Sequence, residues 1–147
     1  MSEGTEAAVR LLQSSREGFL GTLENAQPFV SAVSYLFESG APHRFGKIGL
    51  LLSDLARHTQ NLQRNPNVSL LVTEPGTQPV YAKKRATVQG LASAMKDPIH
   101  FTDFKLRYVE AFPSAEIFFT FRDFHFYEIE ITELHWIGGF GKIETFH

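Results

Sequence analysis

Apolar residues repeat with two different periods along this chain, and the switches between them divide it into elements. Residues 3–15 place Ala7, Leu11 and Leu12 near one face of a helix. The stretch 18–23 reads as a strand and Glu24-Asn25-Ala26 as a hairpin turn. A second strand, about 28–37, is apolar or small on both faces: Phe29, Val33, Tyr35 and Phe37 on one, Val30, Ala32 and Leu36 on the other. Such a strand is buried on both sides or forms half of an interface. Ser39-Gly40-Ala41-Pro42 reads as a turn, and 46–53 as a third strand. Ser53 or Asp54 is placed to cap a helix that ends near Asn65-Pro66. Residues 68–73 follow as a fourth strand, Glu74-Pro75-Gly76 as a turn, and 80–94 as a fifth strand.

Asp97-Pro98 then opens a helix that carries Phe101, Phe104, Tyr108 and Phe112 on one face, until Pro113 ends it. The last strand, about 122–136, alternates at Tyr127-Glu128-Ile129-Glu130-Ile131. Leu134 and Trp136 have the opposite parity to Ile129 and Ile131, so one face holds both sets only if a bulge intervenes near Thr132-Glu133. The pattern predicts a mainly β fold with α (α+β). About six antiparallel strands close into a barrel with flanking helices, because closure removes exposed edges. No repeat, low-complexity tract or linker interrupts the chain, so we expect a single domain over 1–147.

Composition narrows the classes. Hydrophobic residues make up 43% and charged residues 20%, which is the balance of a globular chain. Cysteine is absent, which excludes disulfides and thiolate metal sites and fits a cytoplasmic location. Fourteen basic against sixteen acidic residues give a net charge of −2, which argues against a nucleic-acid partner. No apolar run is long enough to span a membrane, and the stretch MSEGTEAAVR reads as no targeting signal. Phenylalanine occurs 14 times, and eight of these fall between Phe101 and Phe126. That density points to an extensive core or a subunit contact.

The segment LLLSDLARHTQNLQRNP, 50–66, is the most informative. An apolar strand feeds directly into a helix start that displays Arg57, His58 and Thr59. Unpaired backbone N–H groups and the positive end of the helix dipole favour a phosphate there, and these side chains add donors. The competing reading is a capped surface helix whose Arg57 and His58 face water. Other candidates are weaker. Lys83-Lys84-Arg85 reads as a solvated strand face on which Arg85 points away from Lys84. His125 and His135 lie ten residues apart on one strand, and no H-x-x-x-H or H-E-x-x-H spacing occurs, so no metal site is expected. No nucleophile-elbow motif supports a Ser/His/Asp triad. Gly138-Gly139-Phe140-Gly141 lacks the Rossmann pattern and reads as a turn.

Three segments together resemble the flavin-binding split barrels related to pyridoxamine 5′-phosphate oxidase. They are Ala26 to Tyr35, Leu51 to Leu71 with Arg57-His58 and Asn65-Pro66, and Trp136-Ile137-Gly138-Gly139. The wording is similar to the haem-utilisation branch of that family at Ser53-Asp54-Leu55-Ala56-Arg57-His58-Thr59-Gln60-Asn61-Leu62 and at Trp136 to Gly141. The resemblance spans roughly residues 15 to 142.

It implies a six-stranded antiparallel split β-barrel, a homodimer, and an FMN site at each subunit interface. Carried over by position, Ser31, Ala32, Val33 and Ser34 would line the flavin, with Leu52 and Ser53 touching it from the next strand. Arg57, His58 and Thr59 would hold the phosphate, Arg85 would occupy a cofactor position on the fifth strand, and Trp136 would close the site from the other chain. Ser31 and Leu36 stand where the oxidase has an arginine and a lysine, which leaves more of the phosphate to His58 and Arg57. The oxidase's substrate-side basic cluster is reduced to Lys142-Ile143-Glu144. The expected function is therefore that of an FMN-binding flavoprotein, a small oxidoreductase acting on a small molecule. The alternatives are a haem-binding protein on the same barrel, ligated by His125, His135 or His147, and a dimeric binding domain without a cofactor.

Overall fold

The computed structural model describes residues 2–40 and 42–147; Met1, and Ala41 of the turn expected over 39–42, lie outside them. Helix α1 (Glu3–Ser14) is followed by strands β1 (Glu17–Glu24), β2 (Gln27–Ser34), β3 (Leu36–Glu38) and β4 (Lys47–Ser53). Helix α2 (Arg57–Arg64), strands β5 (Asn67–Thr73) and β6 (Arg85–Ala94), and helix α3 (Pro98–Ala111) come next. A run of 3₁₀ turns (Pro113–Thr120) leads into β7 (Phe124–Ile137) and β8 (Ile143–Phe146). The fold is thus α+β, as expected, but the described residues form eight strands rather than six.

Both extra strands have a local cause. The predicted strand 28–37 breaks at Tyr35 into β2 and β3, which pair with different partners, β1 and β4. The tail after Gly138-Gly139-Phe140-Gly141 folds back along β7 as β8, through a turn in which Gly139 and Gly141 take φ of 105° and 71°. All pairings are antiparallel, in the order β2-β1-β5-β6-β7-β4-β3 with β8 on β7. The two ends of this order, β2 and β3, are consecutive in the chain. One strand therefore leaves one edge of the curled sheet and joins the other, which gives a split-barrel-like form.

Tyr35 makes that crossing. Its N–H donates to the Arg16 carbonyl (2.9 Å) and its hydroxyl donates to the Leu12 carbonyl (2.8 Å). Leu12 lies in the last turn of α1, where carbonyls lack helical partners. Burial pushes the Tyr35 hydroxyl well above its ordinary range, so it stays a neutral donor. Tyr35→Phe is expected to leave a buried carbonyl unpaired and to lower stability by about 1–3 kcal/mol, measured by urea unfolding.

The bulge foreseen from parity lies on β7. Gln89 pairs with Glu133 and Gly90 with Ile131, so Thr132 is the extra residue. Ile129, Ile131, Leu134 and Trp136 consequently all turn inward and are buried in the barrel core with Leu20, Ile48, Leu50, Leu70 and Val88. The phenylalanine surplus builds a second core outside the barrel, where Phe104, Tyr108 and Phe126 are buried beneath α3 and the 3₁₀ segment. Phe126 is its hub, with Phe104 edge-on at 4.9 Å and Phe101, Tyr108 and Phe119 within 5.5 Å. Among the described residues no helix is long and apolar enough to cross a membrane.

Candidate functional site

Strands β2 and β4, the start of α2, and the aromatic layer meet around a cavity of about 280 Å³. Strand β2 contributes Ala32, Val33 and Ser34, and β4 contributes Leu51, Leu52 and Ser53. Ala56 and His58 come from the α2 entry, and Tyr108, Phe118 and Phe124 close the far wall. Ala32, Val33, Ser34, Leu52, Ser53 and His58 were all expected at one site, and the fold brings these six together. The same three β2 residues also border a larger hollow of about 550 Å³, lined by residues 14–19, Thr73 and Pro75.

Local chemistry sets the entry to α2. The Ser53 hydroxyl donates to Asp123 Oδ2 (2.6 Å) and accepts the Leu55 N–H (3.2 Å). Ala56 N–H closes a tight turn on the Ser53 carbonyl, so the helix begins at Arg57 with Ala56 as its cap. The expectation that Ser53 or Asp54 caps the helix is therefore wrong; no side chain caps it. Asp54 is drawn to the neighbouring strand instead, where Oδ1 accepts the Tyr127 hydroxyl (2.8 Å) and Oδ2 meets His125 Nδ1 (2.7 Å). Tyr127 in turn accepts the Gln63 amide (2.8 Å). Burial, reinforced by the Asp54 carboxylate, raises the Tyr127 pKa and keeps it a donor. Asp54 thus does not compete with an anion for the helix N–H groups.

Helix α2 is held against the barrel by a buried polar pair. Asn61 Nδ2 donates to Thr22 Oγ1 (3.1 Å), beside buried Leu62. In its first turn Thr59 is fully buried, and its hydroxyl has no hydrogen-bond partner. His58 is half-buried at the cavity, and desolvation lowers its pKa, which favours neutral imidazole.

The other expected residues fall elsewhere. Arg57 Nε donates to Glu24 Oε2 (2.6 Å), and its guanidinium lies 4.3 Å over the Phe29 ring. Its charge is therefore shared with the β1–β2 hairpin. Ser31 is on the half-buried face of β2 with Phe29 and Val33, outside the cavity lining. Arg85 lies opposite Thr73 and Ile137 in the sheet, away from the cavity, with Nε buried and unpartnered. Trp136, expected to close the site of the other chain, packs within its own barrel. The bulge turns its indole into the barrel core, where it is buried beside α1 and lines a separate hollow with Lys84. Lys142 is exposed in the β7–β8 turn.

The aromatic wall escaped the sequence reading. The spacing of Phe104, Tyr108 and Phe112 announces a buried helix face, but nothing local says that Tyr108 borders a cavity at β2. Burial pushes the Tyr108 hydroxyl up to about 12. Phe118 stacks on Phe124 at 4.7 Å with planes 10° apart, which gives that wall a flat aromatic face.

The donor set suits a flavin nucleotide. The uncapped helix start and His58 offer donors to a phosphate, while the Thr59 hydroxyl is sealed beneath the helix and does not line the cavity; the cavity walls are apolar and aromatic with hydroxyls at Ser34 and Ser53. The cavity is small for such a ligand, since most sites occupy roughly 300–1,000 Å³. In this chain the open outer face of β1 and β2 continues from it, with Val30 65% and Phe19 48% exposed.

Comparison with solved structures places this architecture among flavin- and haem-binding proteins. A haem-binding protein from Mycobacterium smegmatis superposes with a TM-score of 0.87 at 24% identity, over 99% of this chain and 58% of that one. This chain therefore spans little more than half the length of that relative. An FAD-binding protein from Mesorhizobium loti gives a TM-score of 0.70 at 20% identity, covering 91% and 92% of the two chains. The haem storage protein HutZ from Vibrio cholerae gives 0.70 at 22% identity, covering 88% and 91%. These likenesses show the split-barrel fold. No protein of curated function matches the chain in sequence. The family described as "CREG, beta-barrel" matches residues 1–146, and the chain belongs to that family.

Proposed function

We propose that this protein binds FMN at the cavity between β2, β4 and α2 and acts as a small flavin-dependent oxidoreductase. The observation that carries the reading is the α2 start: a first turn without a side-chain cap, with His58 facing the cavity. The phosphate sits at these donors and the ring system lies against Ala32-Val33-Ser34 and Leu52-Ser53. Bound flavin supplies hydride or electron transfer, while the residues here orient it and exclude water. A second copy of the chain covers the exposed Val30–Phe19 face and completes the site, a reading that the cavity's modest volume supports. The FAD-binding relative of the same fold supports a flavin ligand.

Purified protein is expected to be yellow or to become so with FMN. Saturation to about 100 times Kd should stabilise it by about 2.7 kcal/mol, read as a rise in Tm. An unchanged Tm in excess FMN defeats the proposal. Light scattering should report a dimer.

A haem reading is favoured by one feature. His125, His135 and His147 each engage Nδ1, with Asp54, Thr145 and Glu133 respectively, which leaves Nε2 outward as an axial ligand needs. Haem titration tests it. A Soret band that is lost in one of the three histidine-to-alanine variants supports haem, and no band removes it.

A further inference from the structure

Away from the cavity, three elements bring two carboxylates and an imidazole together. Glu38 ends β3, His100 lies in the first turn of α3, and Glu128 is on β7. One donor atom from each lies within 4.8 Å of the others. Two basic residues flank the group: Arg107 Nη2 donates to Glu38 Oε1 (2.9 Å) and Lys47 Nζ to Glu128 Oε1 (3.2 Å). His100 Nε2 also meets Glu38 Oε1, at 2.7 Å.

An ion-pair network accounts for the two Oε1 atoms and stops there. The second oxygen of each carboxylate, Oε2, is buried and has no hydrogen bond. The Glu38 side chain is only 10% exposed and that of Glu128 14%, so bulk water does not satisfy them. Burying a charged acceptor without a partner is costly, and such atoms call for a missing ligand. His100 Nδ1 stands 3.7 Å from Glu128 Oε2, too far for a hydrogen bond.

We propose that Glu38, His100 and Glu128 bind one divalent transition-metal ion of the zinc type. Two oxygens and one nitrogen suit zinc or manganese, whereas magnesium and calcium take oxygen alone. Lys47 and Arg107 orient the two carboxylates through their Oε1 atoms. They also repel a cation, so the affinity is micromolar rather than tighter. The ion ties α3 to β3 and β7, and α3 carries Tyr108 to the candidate cavity, so it steadies that wall. This inference stands independently of FMN. Residue spacing could not disclose the site, because no two of its donors share an element; the expectation of no metal site rested on spacing alone.

The test is calorimetric titration of the chelator-treated protein with zinc chloride, with manganese and magnesium chlorides in parallel. One zinc per chain at micromolar affinity is expected, weakened at least about tenfold in Glu128→Gln and in His100→Gln. Undetectable zinc binding overturns the proposal, as does equal affinity in wild type and both folded variants, or magnesium binding as tightly as zinc. If the variants do not fold, X-ray absorption at the zinc edge of the wild-type complex decides. One imidazole among oxygen donors supports the site, and two or more imidazoles exclude it.

Discussion

Phe104→Ala is expected to destabilise the protein by about 3–5 kcal/mol, measured as a lower midpoint in urea at unchanged m-value. Against a total stability on the order of 5–15 kcal/mol, this is the largest single-residue effect we anticipate. Phe104 is fully buried, edge-on to Phe126 at 4.9 Å and 5.8 Å from the Tyr108 ring. On its other side it fills a notch at Gly49 of β4, where any Cβ would overlap the ring. Truncation opens a cavity that this tight surround cannot collapse. The same geometry makes a second, linked result. Gly49→Ala alone should destabilise by about 1–3 kcal/mol through overpacking. The double variant should be more stable than the two losses added together, because the alanine then occupies vacated space. Simple additivity would show that Phe104 and Gly49 do not contact each other in solution.

His58→Ala should weaken FMN binding by about ten- to a hundredfold, the range for one hydrogen bond to a charged group. Arg57→Ala should cost less, because the guanidinium is already committed to Glu24 and Phe29. Glu24→Gln, which weakens that hold, is expected to tighten FMN rather than loosen it. Fluorescence titration distinguishes the three. An equal loss in the His58 and Arg57 variants would mean that Arg57 leaves Glu24 on binding, and no loss in either would place the phosphate elsewhere. Burial holds His58 below its ordinary value in the free protein, so a phosphate that charges it draws in a proton. Affinity should then rise as pH falls from about 8 to about 6.

How much of this was legible depended on whether the signal was local. The bulge at Thr132 could be read in advance, because the parity of Ile129, Ile131, Leu134 and Trp136 is a property of one strand. Helix α3 was equally clear, since Asp97 caps it and Pro98 opens it. The break at Tyr35 was not, because both halves of that strand are extended and only their partners differ. The cap of α2 was misread for a related reason. Ser53 and Asp54 have the right chemistry at the right distance, but Asp123 just before β7 and His125 and Tyr127 on it engage their side-chain oxygens instead. Six of the expected cofactor residues met at one cavity because β2, β4 and α2 are adjacent in the barrel. Ser31, Arg57, Thr59 and Arg85 lie outside it, because each one's direction is set by sheet parity, by burial or by a partner remote in sequence, and Trp136, expected from the other chain, is turned into this chain's own core.

Taken alone, the order of residues determined the periods, the turns, the helix bounds to within a few positions, and three motifs in family order. These follow from backbone sterics and from which face must leave water. Tertiary structure alone decided which charges are spent on protein partners, which buried oxygens are left without one, and what closes the cavity. Those outcomes rest on distances between side chains tens of residues apart, and a hydrophobic period carries no information about such distances.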